Sequence, residues 1–269
     1  MDRLERLFKL APGIDTLVLA SWDAAFSTDA NFRYFSGTAI DRATLVAQRG
    51  HSPVLIANEM SYGLAKEKFA GEVISFKAGE YGKKLSALLK ESKRIGVPKS
   101  GISASFFETL RKNSKAKLSD VSDSLMLVRS IKEEKEIETM RKACSLSRRI
   151  IRELEVKAGK TEEQLASELN SITYSLGTEP AFPPIVLSAR NSKFPHGKAG
   201  GRKLRNGDIL LVDWGAKWKG YCSDFTRCFF IGKAERAQER TYGKMQEIFS
   251  EIVSFLRPGM HAKEVRKFV

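Results

Sequence analysis

Cysteine is scarce in the 269-residue chain: there are three, an odd number at irregular spacing. That excludes a disulfide-stapled scaffold and fits a reducing compartment. Cys222 and Cys228 match no zinc-ligand spacing. Long hydrophobic runs are missing too. None exceeds about five residues, too few to span a bilayer, so no membrane partner is expected. The opening "MDRLERLFKLAPG" alternates charged and apolar residues like a short amphipathic helix, without the apolar core of a signal peptide; a cytoplasmic protein is expected. Internal repeats and low-complexity tracts are absent. Acidic residues fall short of basic ones, 32 against 46, for a net charge of +14. The excess is spread out, about +6 over residues 1–130 and about +8 over the remainder. Its densest stretch, "KESKRIGVPKS", carries no interleaved aromatics for stacking bases. That argues against a nucleic-acid partner and for a solvated basic surface.

What is present reads as two textures. Over residues 16–122, the Val-, Ile- and Leu-rich runs "TLVLAS", "RATLVAQ", "SPVLIAN", "EVISF" and "RIGVP" predict strands. "SYGLAKEKFA", "GKKLSALLKESK" and "SASFFETLRKN" predict intervening helices, the last with a Ser cap. This is an α/β domain, assigned to residues 1–123. From residue 124 a long amphipathic stretch runs to Gly159, with Ile137, Met140, Cys144, Ser147 and Ile151 as its apolar stripe. "TEEQLASELNSITYSLG" predicts a second helix, with Thr161 as N-cap, Glu162 and Glu163 in its first turn and Gly177 past its end. Strand-like "IVLSA", a loop, and the run "ILLVDWGAKWKGYCSDFTRC" follow. A helix over "AERAQERTYGKMQEIFSEIVSFLRPG" and the start of another end the chain. Residues 124–269 form the second domain.

Asp213 sits at the end of the apolar run 209–212, where an unpaired carboxylate costs several kcal/mol. Symmetrical pairing about Trp218-Lys219 places Asp213 directly opposite Asp224 on one face, and like charges there repel. No basic residue lies at the i±2 positions of that face. A divalent cation between the acids relieves the repulsion, since carboxylate oxygens are hard ligands. Protonated acids, or acids exposed by a shifted register, satisfy the same sequence. His196, in "KFPHGK", gains chemical value only where its loop lies over the acid pair, so that the imidazole can hydrogen-bond a reacting carbonyl.

"PPIVLSARNSKFPHGKAGGRKLRNGDILLVDWGAKWKGYCSDFTRCFFIG" resembles the first half of the catalytic domain of the Xaa-Pro peptidases, the prolidases and proline-specific aminopeptidases of the pita-bread metallopeptidase fold. "PHG", "GD", "VDWGA" and "SDFTR" carry the likeness, in the family's order and spacing. "VRSIKEEKEIETMRKA" resembles the helix opening that domain, and "NFRYFSG" a strand segment of the family's N-terminal domain. The resemblance implies an α/β N-terminal domain followed by an α+β pita-bread domain, incomplete at its C-terminus. It implies two divalent ions (manganese, cobalt or zinc) around a bridging hydroxide. Asp213 then binds one metal, Asp224 bridges both, and His196 contacts substrate and stabilises the tetrahedral intermediate. It further implies a homodimer acting on proline-containing dipeptides or peptides, with exposed Phe and Tyr of residues 16–122 at the interface.

One departure stands against these matches. The family's three further ligands, a His and two Glu, have no counterpart before Val269, and His261 does not match. A chain with the acid pair alone is expected to hold metal weakly and to be inactive by itself. The competing functions are a peptidase-like binding module without catalysis, and another pita-bread hydrolase of different specificity. The intact acid pair and "PHG" disfavour the first, and the same two acids disfavour metal-free creatinase-like hydrolases.

Overall fold

The computed structural model describes residues 2–22 and 29–268. The chain divides into two compact units, Met1–Glu133 and Glu134–Val269. This boundary lies ten residues beyond the 123/124 division assigned from the sequence. The intervening helix buries Leu125 and Val128 in the first unit's core.

The first unit is built on six strands: β1 (Thr16–Ser21), β2 (Ala43–Gln48), β3 (Val54–Asn58), β4 (Glu72–Phe76), β5 (Arg94–Val97) and β6 (Lys117–Asp120). Their order is β4-β3-β2-β1-β5-β6, antiparallel at the β1–β2 and β2–β3 joins and parallel elsewhere. Its helices are α1 (Arg3–Leu10), α2 (Ala30–Ser36), α3 (Glu59–Lys68), α4 (Tyr81–Leu88), α5 (Ala104–Asn113) and α6 (Ser122–Ser130). The central strands are apolar on both faces because both are covered. Leu17, Leu19, Leu45 and Leu55 meet residues of α1, α2, α3 and α6. Val18, Val46, Ile56 and Ile95, one step along each strand, meet α4 and α5. Ser103 caps α5 as expected, its hydroxyl accepting from the Phe106 N–H. "NFRYFSG" does not form a strand: residues 30–36 are α2, started by the Asp29 side chain accepting from the Phe32 N–H and ended by Gly37 at φ 71°. Among the described residues of 16–122 no Phe or Tyr side chain is exposed for an interface; Phe26 lies outside them. The unit's large exposed apolar groups, among the described residues, are aliphatic ones such as Met60 and Leu64.

The second unit begins with α7 (Glu134–Glu153) and α8 (Glu162–Ser175). The sequence reads as one long helix from residue 124, but the chain breaks between α6 and α7 at residues 131–133. Of the expected stripe of α7, Ser147 is buried while Ile137, Met140, Cys144 and Ile151 are only half-buried; the rest of the buried face is Glu136, Ala143, Leu146 and Ile150, the last of which flanks that stripe. Thr161 caps α8 in a reciprocal pair with Gln164. Strands β7 (Glu179–Pro180), β8 (Ile185–Ser188), β9 (Ile209–Trp214), β10 (Ala216–Trp218), β11 (Tyr221–Cys222) and β12 (Phe225–Phe230) follow, then α9 (Arg236–Phe255) and α10 (Ala262–Phe268). They make two three-stranded antiparallel sheets, β12-β9-β8 and β11-β10-β7. On β9, Leu210, Val212 and Trp214 point into a core shared with α7 and α8. Ile209, Leu211 and Asp213 occupy the opposite face and are only half-buried. Helix α9 buries no residue and leaves Met245, Phe249 and Val253 exposed.

Candidate metal centre

The hairpin that carries the two acids turns one residue later than symmetry about Trp218-Lys219 requires. Its tip is Lys219-Gly220, at φ 48° and 83°. Both central residues of such a two-residue turn need positive φ, which glycine accepts freely and a bulky Trp218 does not. Asp213 therefore faces Thr226 and not Asp224, and Trp214 faces Phe225. Continued through the turn, this register puts Gly215 opposite Asp224. The shift moves each strand by one residue in the same sense, so Asp213 and Asp224 remain on one face as diagonal neighbours.

Three hydrogen-bonded side chains shape the crossing between the two sheets. The Trp214 indole N–H donates to the Ser147 carbonyl at 3.1 Å. The Ala216 N–H donates to the hydroxyls of Ser147 (2.9 Å) and Ser223 (3.0 Å), themselves 2.7 Å apart. Between them the backbones close so tightly that a Cβ on Gly215 would stand 2.0 Å from the Ser223 carbonyl oxygen. "VDWGA" and "SDFTR" are thus one packing unit: the Gly admits the opposing strand, and the buried Ser223 anchors the backbone beside Asp224. On β11, the Tyr221 hydroxyl donates to the buried Glu136 carboxylate at 2.6 Å. None of these residues around the crossing was singled out as functional in the sequence, because a serine on a helix carries no mark of what it will meet.

Neither acid is sealed from solvent as the apolar run 209–212 suggests. Asp213 is half-buried and Asp224 is exposed. Burial still raises the Asp213 pKa; the Thr226 hydroxyl, donating at 3.1 Å, opposes the rise, the Asp224 carboxylate adds to it, and the His196 side chain opposes it. Asp224 and His196 therefore each lie within electrostatic reach of Asp213. His196 is exposed, in a loop that leaves β8 through a 3₁₀ turn at Ala189–Lys193. Gly197 beside it is needed for close approach, since a Cβ there would stand 2.9 Å from Leu187 Cδ1. Glu162, read from the sequence as a dipole-compensating residue of a helix start, is instead fully buried against that loop.

The donor chemistry suits a divalent cation: two neighbouring carboxylates on one face, one with its ionised form disfavoured by burial and further by the other. Among the described residues no group of three or more His, Cys, Asp or Glu side chains is placed to hold a metal ion. The set fits in kind and is short in number.

Residues 138–269 match the model of metallopeptidase family M24, and residues 8–131 that of the Creatinase/Prolidase N-terminal domain. The Xaa-Pro dipeptidase of Pyrococcus furiosus is 30% identical over 270 residues, covering 98% of this chain and 74% of that protein. That of Pyrococcus horikoshii is 31% identical over 240 residues, covering 87% of this chain and 67% of that protein. Among solved structures, the X-Pro aminopeptidase from Thermotoga maritima superposes with a TM-score of 0.90 at 26% identity, over 99% of this chain and 76% of its own. The Pyrococcus furiosus prolidase gives 0.84 at 27% identity, over 98% and 76%. With the acid pair, the Gly215 crossing and both domain matches in place, the chain belongs to metallopeptidase family M24, in a form that carries a Creatinase/Prolidase N-terminal domain.

Proposed function

We propose that the chain's second unit serves metal-dependent hydrolysis of the bond before proline, in Xaa-Pro dipeptides or at peptide N-termini. Asp213 and Asp224 would hold divalent metal, Asp224 serving as the ligand common to two ions, and manganese, cobalt and zinc all suit the carboxylates. Such ions, when bound, supply Lewis acidity that activates water and polarises the scissile carbonyl. His196 stands outside the ligand set, where its N–H hydrogen-bonds the substrate carbonyl and steadies the charge that develops there. Thr226 orients Asp213 by donating to Oδ1, which leaves the second carboxylate oxygen for metal. The observation that carries the reading is the state of Asp213: its ionised form is disfavoured by burial and by Asp224, so a cation has a charge imbalance to relieve. Support for proline direction comes from the relatives that share both units.

The test is Mn²⁺ titration of the chain, followed by paramagnetic broadening of backbone NMR signals. Broadening is expected to centre on Asp213, Asp224 and Thr226, to be weak for so few ligands, and to vanish in Asp224→Asn. Any hydrolysis is expected to need the metal, to require proline after the scissile bond and to be abolished by the same variant. Mn²⁺ that gathers elsewhere, or hydrolysis indifferent to chelator, sinks the reading.

A further inference from the structure

Glu162 is a carboxylate with no exposed surface, and its partners lie at the two ends of the His196 loop. Its Oε1 accepts from the Ser188 N–H at 2.7 Å, the Ser188 hydroxyl at 2.7 Å and the Asn191 amide at 3.0 Å. Its Oε2 accepts from the same Asn191 amide at 3.1 Å and from the Gly200 N–H at 3.2 Å. Both oxygens are thus fully occupied, which a buried carboxylate needs if its desolvation is to be offset. The first-turn amides of α8 complete the attachment: the Glu162 N–H donates to the Arg202 carbonyl and the Glu163 N–H to the Gly200 carbonyl. Arg202 extends the chain of bonds, donating to the Ser188 hydroxyl at 2.6 Å and, in bidentate fashion, to Asp208 at 2.7 and 2.9 Å.

A second observation falls in the same place. Ala189, between Ser188 and Asn191, has φ 44°, a left-handed conformation that is strained for any residue with a Cβ. Strain of this kind persists where the surroundings over-determine it. Here the residue before it and the residue two places after it are both fastened to one carboxylate. The strained step sends the chain away from β8 toward His196, and Gly200 returns it to the same anchor.

We propose that Glu162 is the positioning residue of the His196 loop. By closing the 188–200 segment on one buried carboxylate and holding the Ala189 turn, it sets where the imidazole stands relative to Asp213. This rests on the reading of His196 as the substrate-contacting group, but its test uses neither metal nor substrate. Glu162→Gln keeps size and one acceptor, and turns an NH₂ toward the Gly200 N–H and the Asn191 amide, donor against donor.

The chain has three histidines, so imidazole ¹H–¹³C spectra carry their own controls. They are recorded at alkaline pH, where imidazoles are neutral, with His196→Gln to assign the signal. In Glu162→Gln the His196 signal is expected to move or split while those of His51 and His261 stay. Amide exchange at Ser188 and Gly200 is expected to quicken at least about tenfold, with Leu211 and Val212 on β9 unchanged. Should Glu162→Gln fail to fold, Asn191→Ala, which removes two of the bonds without adding a misplaced donor, carries the same test. An unmoved His196 signal with unchanged exchange overturns the proposal; so does a change shared by all three imidazoles and by β9, which marks general loosening. A chain that places no Mn²⁺ at Asp213 and Asp224 refutes the proposed function and leaves this result standing.

Discussion

Asp213 is the residue at which structure and pH meet. Its folded pKa lies above the ordinary carboxylate value, chiefly through burial. A carboxyl raised in this way stabilises the fold below the unfolded pKa and loses that contribution as pH rises through the folded one. In chelator-treated protein, Asp213→Asn is therefore expected to leave stability unchanged at acidic pH and to raise it at neutral pH. The gain is expected to stay below about 1 kcal/mol, because the side chain is partly solvated. Urea unfolding at the two pH values checks this, and a variant less stable at neutral pH contradicts it. Metal and proton compete for the same oxygens, so Mn²⁺ affinity is expected to climb over the same window. His196→Ala is expected to keep the metal and to lower the proline-directed rate roughly 10²–10⁴-fold, the range for a positioned acid–base or charge-stabilising group. Loss of metal in that variant, as in Asp224→Asn, would make His196 a ligand.

At the scale of elements, the crossing of β9 and β10 is where the acid pair is built. Gly215 is confined by the Ser223 carbonyl, the Ala181 Cβ and the Phe182 ring. Gly215→Ala must push backbone aside and is expected to cost about 3 kcal/mol or more, or to leave the unit unfolded. Ser147→Ala removes one of two acceptors for the Ala216 N–H while Ser223 keeps the other. Its expected cost is about 1 kcal/mol. Denaturant unfolding of both variants gives the comparison; equal costs would mean that the crossing is held by something other than backbone closeness. The shifted hairpin belongs here as well. Symmetrical pairing about Trp218-Lys219 placed Asp213 and Asp224 on one face, but the uniformly apolar run 209–212 could not choose between registers that keep that parity. The choice was made by Lys219-Gly220, whose dihedrals suit the turn.

On the scale of the whole molecule, each unit carries its own core, two apolar layers around the six-stranded sheet in the first and one under β9 in the second. Residues 1–133 expressed alone are expected to unfold cooperatively by circular dichroism, since every buried layer of that sheet lies within them. A non-cooperative melt would show that the core needs more than its own residues. The homodimer implied by the family resemblance stands as a proposal. Light scattering that returns only a monomer mass at micromolar concentration overturns it.

Much of this was legible from residue order, because the signals were local. Thr161 followed by Gln164 makes its cap within four residues, and β1 to β5 announced themselves by apolar content that no turn or loop could use. Asp213, Asp224 and His196 were singled out by the acid pair and by motifs that resemble the family's, and their roles stand as proposals. Tertiary structure decided what depends on partners distant in the chain. Residues 30–36 became α2 because Asp29 caps them and because Phe32, Tyr34 and Phe35 are buried in the first unit's core. On α7 the buried face kept Ser147 but took in Ala143 and Leu146 in place of Met140 and Cys144, because it packs on β9 and β10, which come over sixty residues later. Glu162 reads as an ordinary helix-start acid until Ser188, Asn191 and Gly200 are folded onto it. A side chain's local preferences are written in its neighbours, whereas its burial and its hydrogen-bond partners are set only when the chain closes over it.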